Sequence, residues 1–239
     1  MSAKAKSLII IALILHFLPV SAQNVQLHYD FGENRQMLTS TVEVFKPDNW
    51  GSTFLFVDFN YGAKSSNVDA ISLAYWEISR NLKFWETPVS IHIEFNGGIG
   101  QYKSSPKNTA YTINNAYLFG PAYSWNNESF TKGFTLQALY KYIKDKHDAT
   151  FQITGVWYMH FLEGKLTFSG FADFWKEDNV VLDDDGVASE AEFVFLSEPQ
   201  LWYNATKNFS LGGEVEISSN FGGNKGFMVN PTLGLKWTF

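Results

Sequence analysis

Apolar and wet side chains alternate along almost the whole of this chain, and no segment carries a helical period. About twelve strand-like segments follow from the alternation and the turn signals between them. They are Val25–Gly32, Arg35–Lys46, Gly51–Tyr61, Val68–Ser79, Pro88–Gly100, Ala110–Ser124, Thr131–Ile143, Ala149–Phe161, Gly164–Trp175, Ser189–Trp202, Lys207–Ser219 and Gly226–Phe239. No repeat or Pro/Ser-rich linker divides them, so the chain reads as one domain. Strands of this kind must hide one face, around a soluble core or against lipid.

The stretch Gly164–Trp175 shows which choice is at stake. One face is Leu166, Phe168, Gly170, Ala172 and Phe174; the other is Lys165, Thr167, Ser169, Phe171, Asp173 and Trp175. Solvated faces rarely mix Phe and Trp with Asp, whereas a water-filled wall that grips a flat ligand has use for both. The same two-sidedness recurs elsewhere. Thr53, Leu55, Val57, Phe59 and Tyr61 oppose Ser52, Phe54, Phe56, Asp58 and Asn60, while Val89, Ile91, Ile93 and Phe95 oppose Ser90, His92, Glu94 and Asn96. Phe209, Leu211, Val215 and Ile217 oppose Glu214 and Glu216. Rings at Tyr61, Tyr142, Phe161, Trp202 and Trp237 end the apolar faces, as an interfacial girdle would.

Three features turn the apolar faces outward. Residues 1–22 have the form of a cleaved export leader: Lys4 and Lys6, an apolar core over Leu8–Leu18, and Val20-Ser21-Ala22 before Gln23. The connections alternate between tight turns (Lys46–Trp50, Glu163-Gly164, Asn204–Thr206) and longer polar loops (Gln101–Thr109, Glu177–Ala188, Asn220–Lys225). Outer-membrane barrels sort their loops this way and have even strand numbers. The last strand alternates through Leu233, Leu235 and Trp237 to a terminal Phe239, resembling the strand end that the outer-membrane assembly machinery reads. No later run of apolar residues is long enough for a membrane helix. The expected fold is therefore all-β: a closed antiparallel transmembrane β-barrel of about twelve strands over 23–239, in a Gram-negative outer membrane with the bilayer as partner. The alternatives are a plugged barrel with a structural or surface-interaction role, and a soluble secreted ligand-binding barrel.

Composition excludes several functions. There is no cysteine, hence no disulfide or thiolate site. The formal charge of −6 argues against nucleic acid. His28, His92, His147 and His160 sit in no nucleophile–base–orienter set, so no enzyme is expected. Asp183-Asp184-Asp185-Gly186 lacks the alternating spacing and closing Glu of a calcium loop and reads as solvated. No cofactor or metal is expected.

The run G-K-L-T-F-S-G-F-A-D-F-W at 164–175 resembles the nucleoside-specific channel-forming outer-membrane proteins, the Tsx-like family. Val42–Tyr61, with V-E-V-F, a short turn and aromatics before Asp58, and Leu139-Tyr140-Lys141-Tyr142 are similar as well. The chain is shorter than that family, its outer loops are trimmed, and several channel tyrosines are Phe or absent. The resemblance implies a monomeric barrel that passes nucleosides through a narrow pore, with aromatic pairs for the base and ionisable groups for the sugar. On the wet faces those groups would be Phe54, Phe56, Asp58, Glu94, Lys141, Phe171, Asp173, Glu214 and Glu216, with Phe171 and Asp173 foremost and Trp175 nearer the mouth. A purely structural fill is the competing expectation, through pairs such as Lys141–Asp173 or Glu94–Lys165.

Overall fold

The computed structural model describes residues 22–62, 66–146 and 149–239; the expected leader, up to residue 21, and His147 lie outside these. Strands follow one another almost without interruption: β1 Ala22–Asp30, β2 Met37–Asp48, β3 Gly51–Tyr61, β4 Ile71–Leu82, β5 Val89–Lys103, β6 Asn108–Asn126, β7 Lys132–Ile143, β8 Thr150–Phe161, β9 Leu166–Leu182, β10 Ala188–Ser197, β11 Gln200–Asn204, β12 Phe209–Ser219 and β13 Phe227–Thr238. β10 and β11 both run antiparallel to β9 on one side and β12 on the other, in unchanged register. They are one wall strand broken at Glu198-Pro199, and the wall therefore has twelve strands. Every neighbour pairs antiparallel, and β1 closes on β13 with Leu27 opposite Leu235. Closure leaves no unpaired edge, which is the condition for a sheet to stand in lipid.

The distribution of polarity is the reverse of a soluble protein's. Along β1, Gln26, His28 and Asp30 are buried, whereas Leu27 and Tyr29 are exposed. Along β13, Asn230 is buried while Leu233, Leu235 and Trp237 are exposed. β7 repeats the pattern, with Gln137 and Lys141 inside and Phe134, Leu136, Tyr140 and Tyr142 outside. The apolar faces form the outer surface of the barrel and the wet faces its lumen. A soluble ligand-binding barrel would present the opposite surface, so that alternative falls. The chain is an outer-membrane β-barrel with its charged and hydroxyl side chains turned inward.

Two expectations are corrected by the strand ends. The loops expected at Gln101–Thr109 and Glu177–Ala188 are mostly strand, leaving only 104–107 and 183–187 between strands. Loop length is thus sorted far less than the turn residues suggest. The polar residues there belong to hairpins that rise past the rim, where water on both sides leaves no apolar face to mark the strand. Trp202 is the second correction. Expected on the outer girdle, it is fully buried inside, on the same face of β11 as Gln200, because Leu201 and Tyr203 take the outer face.

Trp202 shows how the lumen wall is built. Its neighbours across the strands are Gly212, Gly234 and then His28, all in one lateral row. A Cβ on Gly212 would sit 2.9 Å from the indole, and one on Gly234 would sit 2.9 Å from His28 and 3.1 Å from the indole. The two glycines leave a trough across β12 and β13, and the indole lies in it, edge-on to His28 at 5.5 Å. Lys236 covers the ring, its Nζ 4.2 Å from the centroid.

Candidate functional site

The expected site residues fall on the inner faces of their strands, distributed over two acidic patches. On β3, Phe54, Phe56 and Asp58 point inward, half-buried, with Phe54 and Phe56 centroids 6.0 Å apart and Phe56 a further 6.0 Å from Tyr75 of β4. Asp58 accepts a 2.5 Å hydrogen bond from Thr41. From other walls it is met electrostatically by Glu198 and Glu214. Glu214 accepts from Gln200 at 2.9 Å. Glu216 accepts from Arg35 at 2.5 Å and from Ser218 and Asn230 at 3.1 Å. Arg35 also donates to Asp30, so this residue of the first connection clamps β1 and β12 across the seam where the barrel closes.

The second patch is formed by β4, β5, β7 and β9. Glu94 lies 2.9 Å from His92 and accepts from Asn96 at 3.1 Å. Glu77 accepts from Tyr75 at 2.6 Å and from Asn96 at 3.1 Å. Asp173 of β9 accepts from Thr154 at 2.5 Å. Lys141 donates to Gln152 at 2.7 Å and lies 4.1 Å above the Trp175 ring. The pairs weighed as a structural plug do not form: the Lys141 ammonium goes to Gln152 rather than Asp173, and Glu94 pairs with His92 rather than Lys165.

Phe171 sits between the patches on β9, half-buried, facing inward beside Val156, a residue that is 39% exposed. Its carbonyl accepts from Ser197 Oγ at 2.7 Å and from the Glu198 amide at 3.1 Å. That places Phe171 beside the break in the wall strand, with Gly170 next to it. A Cβ on Gly170 would lie 2.5 Å from the Glu198 carbonyl oxygen, so the close approach requires glycine.

At the rim away from the termini, connections fold inward. Trp175 is buried there; it donates to Glu177 at 2.8 Å and meets Phe221 edge-on at 6.1 Å. Phe221 belongs to the connection 220–226, which is pinned to the top of β9 by Leu182 N to Gly223 O and Lys225 N to Leu182 O, both 2.8 Å. Gly222, Gly223 and Gly226 all have positive φ, the backbone freedom this inward turn needs. Lys146 pairs with Glu177 at 3.1 Å and also donates to the Asp178 carbonyl. Trp175 thus lies near the mouth, as expected, but under a loop.

Several lumen residues escaped the sequence reading. Tyr75 and Glu77 alternate with Trp76 and Ile78, a signal as clear as that of Phe56 and Asp58. Lys236 alternates with Leu235 and Trp237 in the same way. Glu198 is hidden by the neighbouring Pro199, which interrupts the strand pattern, and nothing local marks Arg35. The Asp183–Asp185 run is a closed turn in which Asp183 accepts from the amides of Asp185 and Val187. Among the described residues no cluster of His, Asp or Glu is arranged to hold a metal ion.

Comparison with solved structures finds porin barrels. The fold is similar to that of the NanC porin, with a TM-score of 0.57 at 11% identity, covering 91% of this chain and all of that one. The KdgM porin aligns with a TM-score of 0.48 at 13% identity, over 91% of this chain and 99% of that one. No curated protein matches the sequence. Residues 22–239 match a family model across the whole barrel, and the chain belongs to the family described as Domain of unknown function (DUF5020).

Proposed function

We propose that this barrel is a channel through which small polar solutes, nucleosides foremost, diffuse passively across the outer membrane. The observation that carries this is the set of half-buried rings on the wet face: Phe54 and Phe56 on β3 and Phe171 on β9, interleaved with Asp58 and Asp173. These rings turn part of their surface to the lumen, where a passing solute can reach it. A ring face stacks on a nucleobase with about 1–3 kcal/mol per base. Neighbouring carboxylates accept hydrogen bonds from ribose hydroxyls. Several shallow stations suit transport, because the solute must leave as readily as it enters. The surplus of inward carboxylates over Arg35, Lys141 and Lys236 favours neutral and cationic solutes over anions. In this reading the barrel acts as a monomer, delivered by the assembly machinery through its Phe239 strand.

A second reading has the lumen plugged. It is favoured by the depth at which Trp202, His28, His92 and Leu118 are buried inside the barrel. Uptake into proteoliposomes separates the two. The channel reading expects radiolabelled adenosine or uridine to enter faster than a disaccharide, and nucleoside monophosphates to enter more slowly than the parent nucleosides. Uptake no faster than in protein-free vesicles would favour the plug.

A further inference from the structure

The outer wall carries a cavity of about 470 Å³ that crosses β4, β5, β6 and β7. Its lining is almost wholly apolar, because the side chains that form it are those that alternate outward. Ile78 of β4 stands directly opposite Phe95 of β5, and Ile93 of β5 directly opposite Phe119 of β6. Short side chains thus adjoin large rings, and the step between them makes the hollow. Tyr117 braces the ring side, 5.3 Å from Phe95 and 6.3 Å from Tyr142.

One end of the hollow is basic. Arg80, two residues before the end of β4, lines it together with Thr53. Arg80 Nη1 donates to Asp48 at 2.7 Å and to Thr53 at 3.0 Å, and Nη2 donates to Asp48 at 2.8 Å. A guanidinium has five N–H donors, so two remain for another acceptor. Asp48 also accepts from the Trp50 amide at 2.8 Å. That bond sets Arg80 beside an exposed aromatic belt, in which Phe84 lies 5.8 Å from Trp50 and 6.0 Å from Trp85. Such belts mark the headgroup level of a membrane. Lys46 is opposite Thr53 in register and so shares the outward row of Arg80. It is exposed and makes no hydrogen bond or ion pair among the described residues. Two cations therefore meet one carboxylate where the apolar wall ends.

We propose that the hollow and its basic end form a site for one phospholipid with an anionic headgroup. An acyl chain lies over Ile78 and Ile93, and the phosphate meets Arg80 and Lys46. In a bilayer an acyl chain gains little by leaving other chains, so selection falls on the headgroup. Basic side chains at headgroup level favour anionic lipids, and a guanidinium matches phosphate geometry. A second copy of the barrel fits less well, since its convex wall would touch only the edges of a hollow. The site lies outside the lumen and does not depend on whether the lumen conducts.

Native mass spectrometry tests this on the full-length barrel exchanged into micelles that hold equal phosphatidylglycerol and phosphatidylcholine with the same chains. The parent should retain one phosphatidylglycerol in preference to phosphatidylcholine. Lys46→Gln/Arg80→Gln should reduce that preference about tenfold or more, at about fivefold for each cation. Ile93→Trp fills the hollow and should remove retention of both lipids. Lys176→Gln, which removes a cation of β9, should bind as the parent does. Lys46→Gln alone provides the same test, at about fivefold, if the double variant does not fold as judged by heat-modifiable gel mobility. Equal retention of the two lipids by the parent would overturn the site, as would an unchanged preference in the glutamine variant or undiminished retention in Ile93→Trp. A dimer that carries no phospholipid and is lost in Ile93→Trp would give the hollow to a second copy and overturn it too.

Discussion

Two lysines lie over two tryptophans inside this barrel, and the pairs are built differently. Near the rim that carries the termini, Lys236 covers Trp202, and everything beneath the indole is strand: the Gly212–Gly234 trough and the edge of His28. Near the opposite rim, Lys141 covers Trp175, which donates to Glu177 and meets Phe221 from the connection 220–226. The first pair is part of the wall, held by backbone pairing that cannot shift without unfolding the barrel. The second also bridges two strands, β7 and β9, but its indole is met by Phe221 of a glycine-rich connection that two backbone hydrogen bonds fasten to the top of β9. The same chemistry thus recurs at both ends, over an all-strand floor at one and beside a connection at the other.

Breaking the wall pair should give the largest effect. Trp202→Ala should cost about 3–5 kcal/mol, the range for emptying a buried aromatic site. Gly234→Val should cost about 1–3 kcal/mol by overpacking against the indole and His28. Urea unfolding of the barrel in lipid vesicles measures both, and a loss below 1 kcal/mol for Trp202→Ala would mean that the indole is not a wall element. At the other end, Phe221→Ala should leave the unfolding midpoint within about 0.5 kcal/mol of the parent, as surface changes do. It should nevertheless raise single-channel conductance. Unchanged conductance with reduced stability would invert the comparison.

How much of this was legible in the sequence differs between wall and mouth. Strand positions and faces are legible over most of the wall, because lipid on one side of a strand enforces a period of two. Phe56, Asp58, Phe171 and Asp173 are inward for that reason. Where the hairpins rise beyond the membrane that constraint ends, and Glu177–Leu182 passed for loop. Trp202 shares the parity of Gln200, which marks it as inward, but the trough that accommodates so large a ring depends on glycines in two other strands, a long-range fact. The hydrogen-bonded group of Glu77, Asn96 and Glu94 has the same character. Its members alternate correctly on their own strands, but only the register of β4 with β5 brings them together. The Arg35 clamp is invisible for the same reason.

The most direct test of the channel is single-channel recording in planar bilayers, on barrel first shown to be folded by heat-modifiable mobility. Discrete open steps should appear, interrupted by added adenosine, and Phe56→Ala with Phe171→Ala should weaken that interruption by an amount equivalent to about 1–3 kcal/mol. Folded barrel that gives no steps, or steps that adenosine interrupts equally in the parent and the double variant, would contradict it.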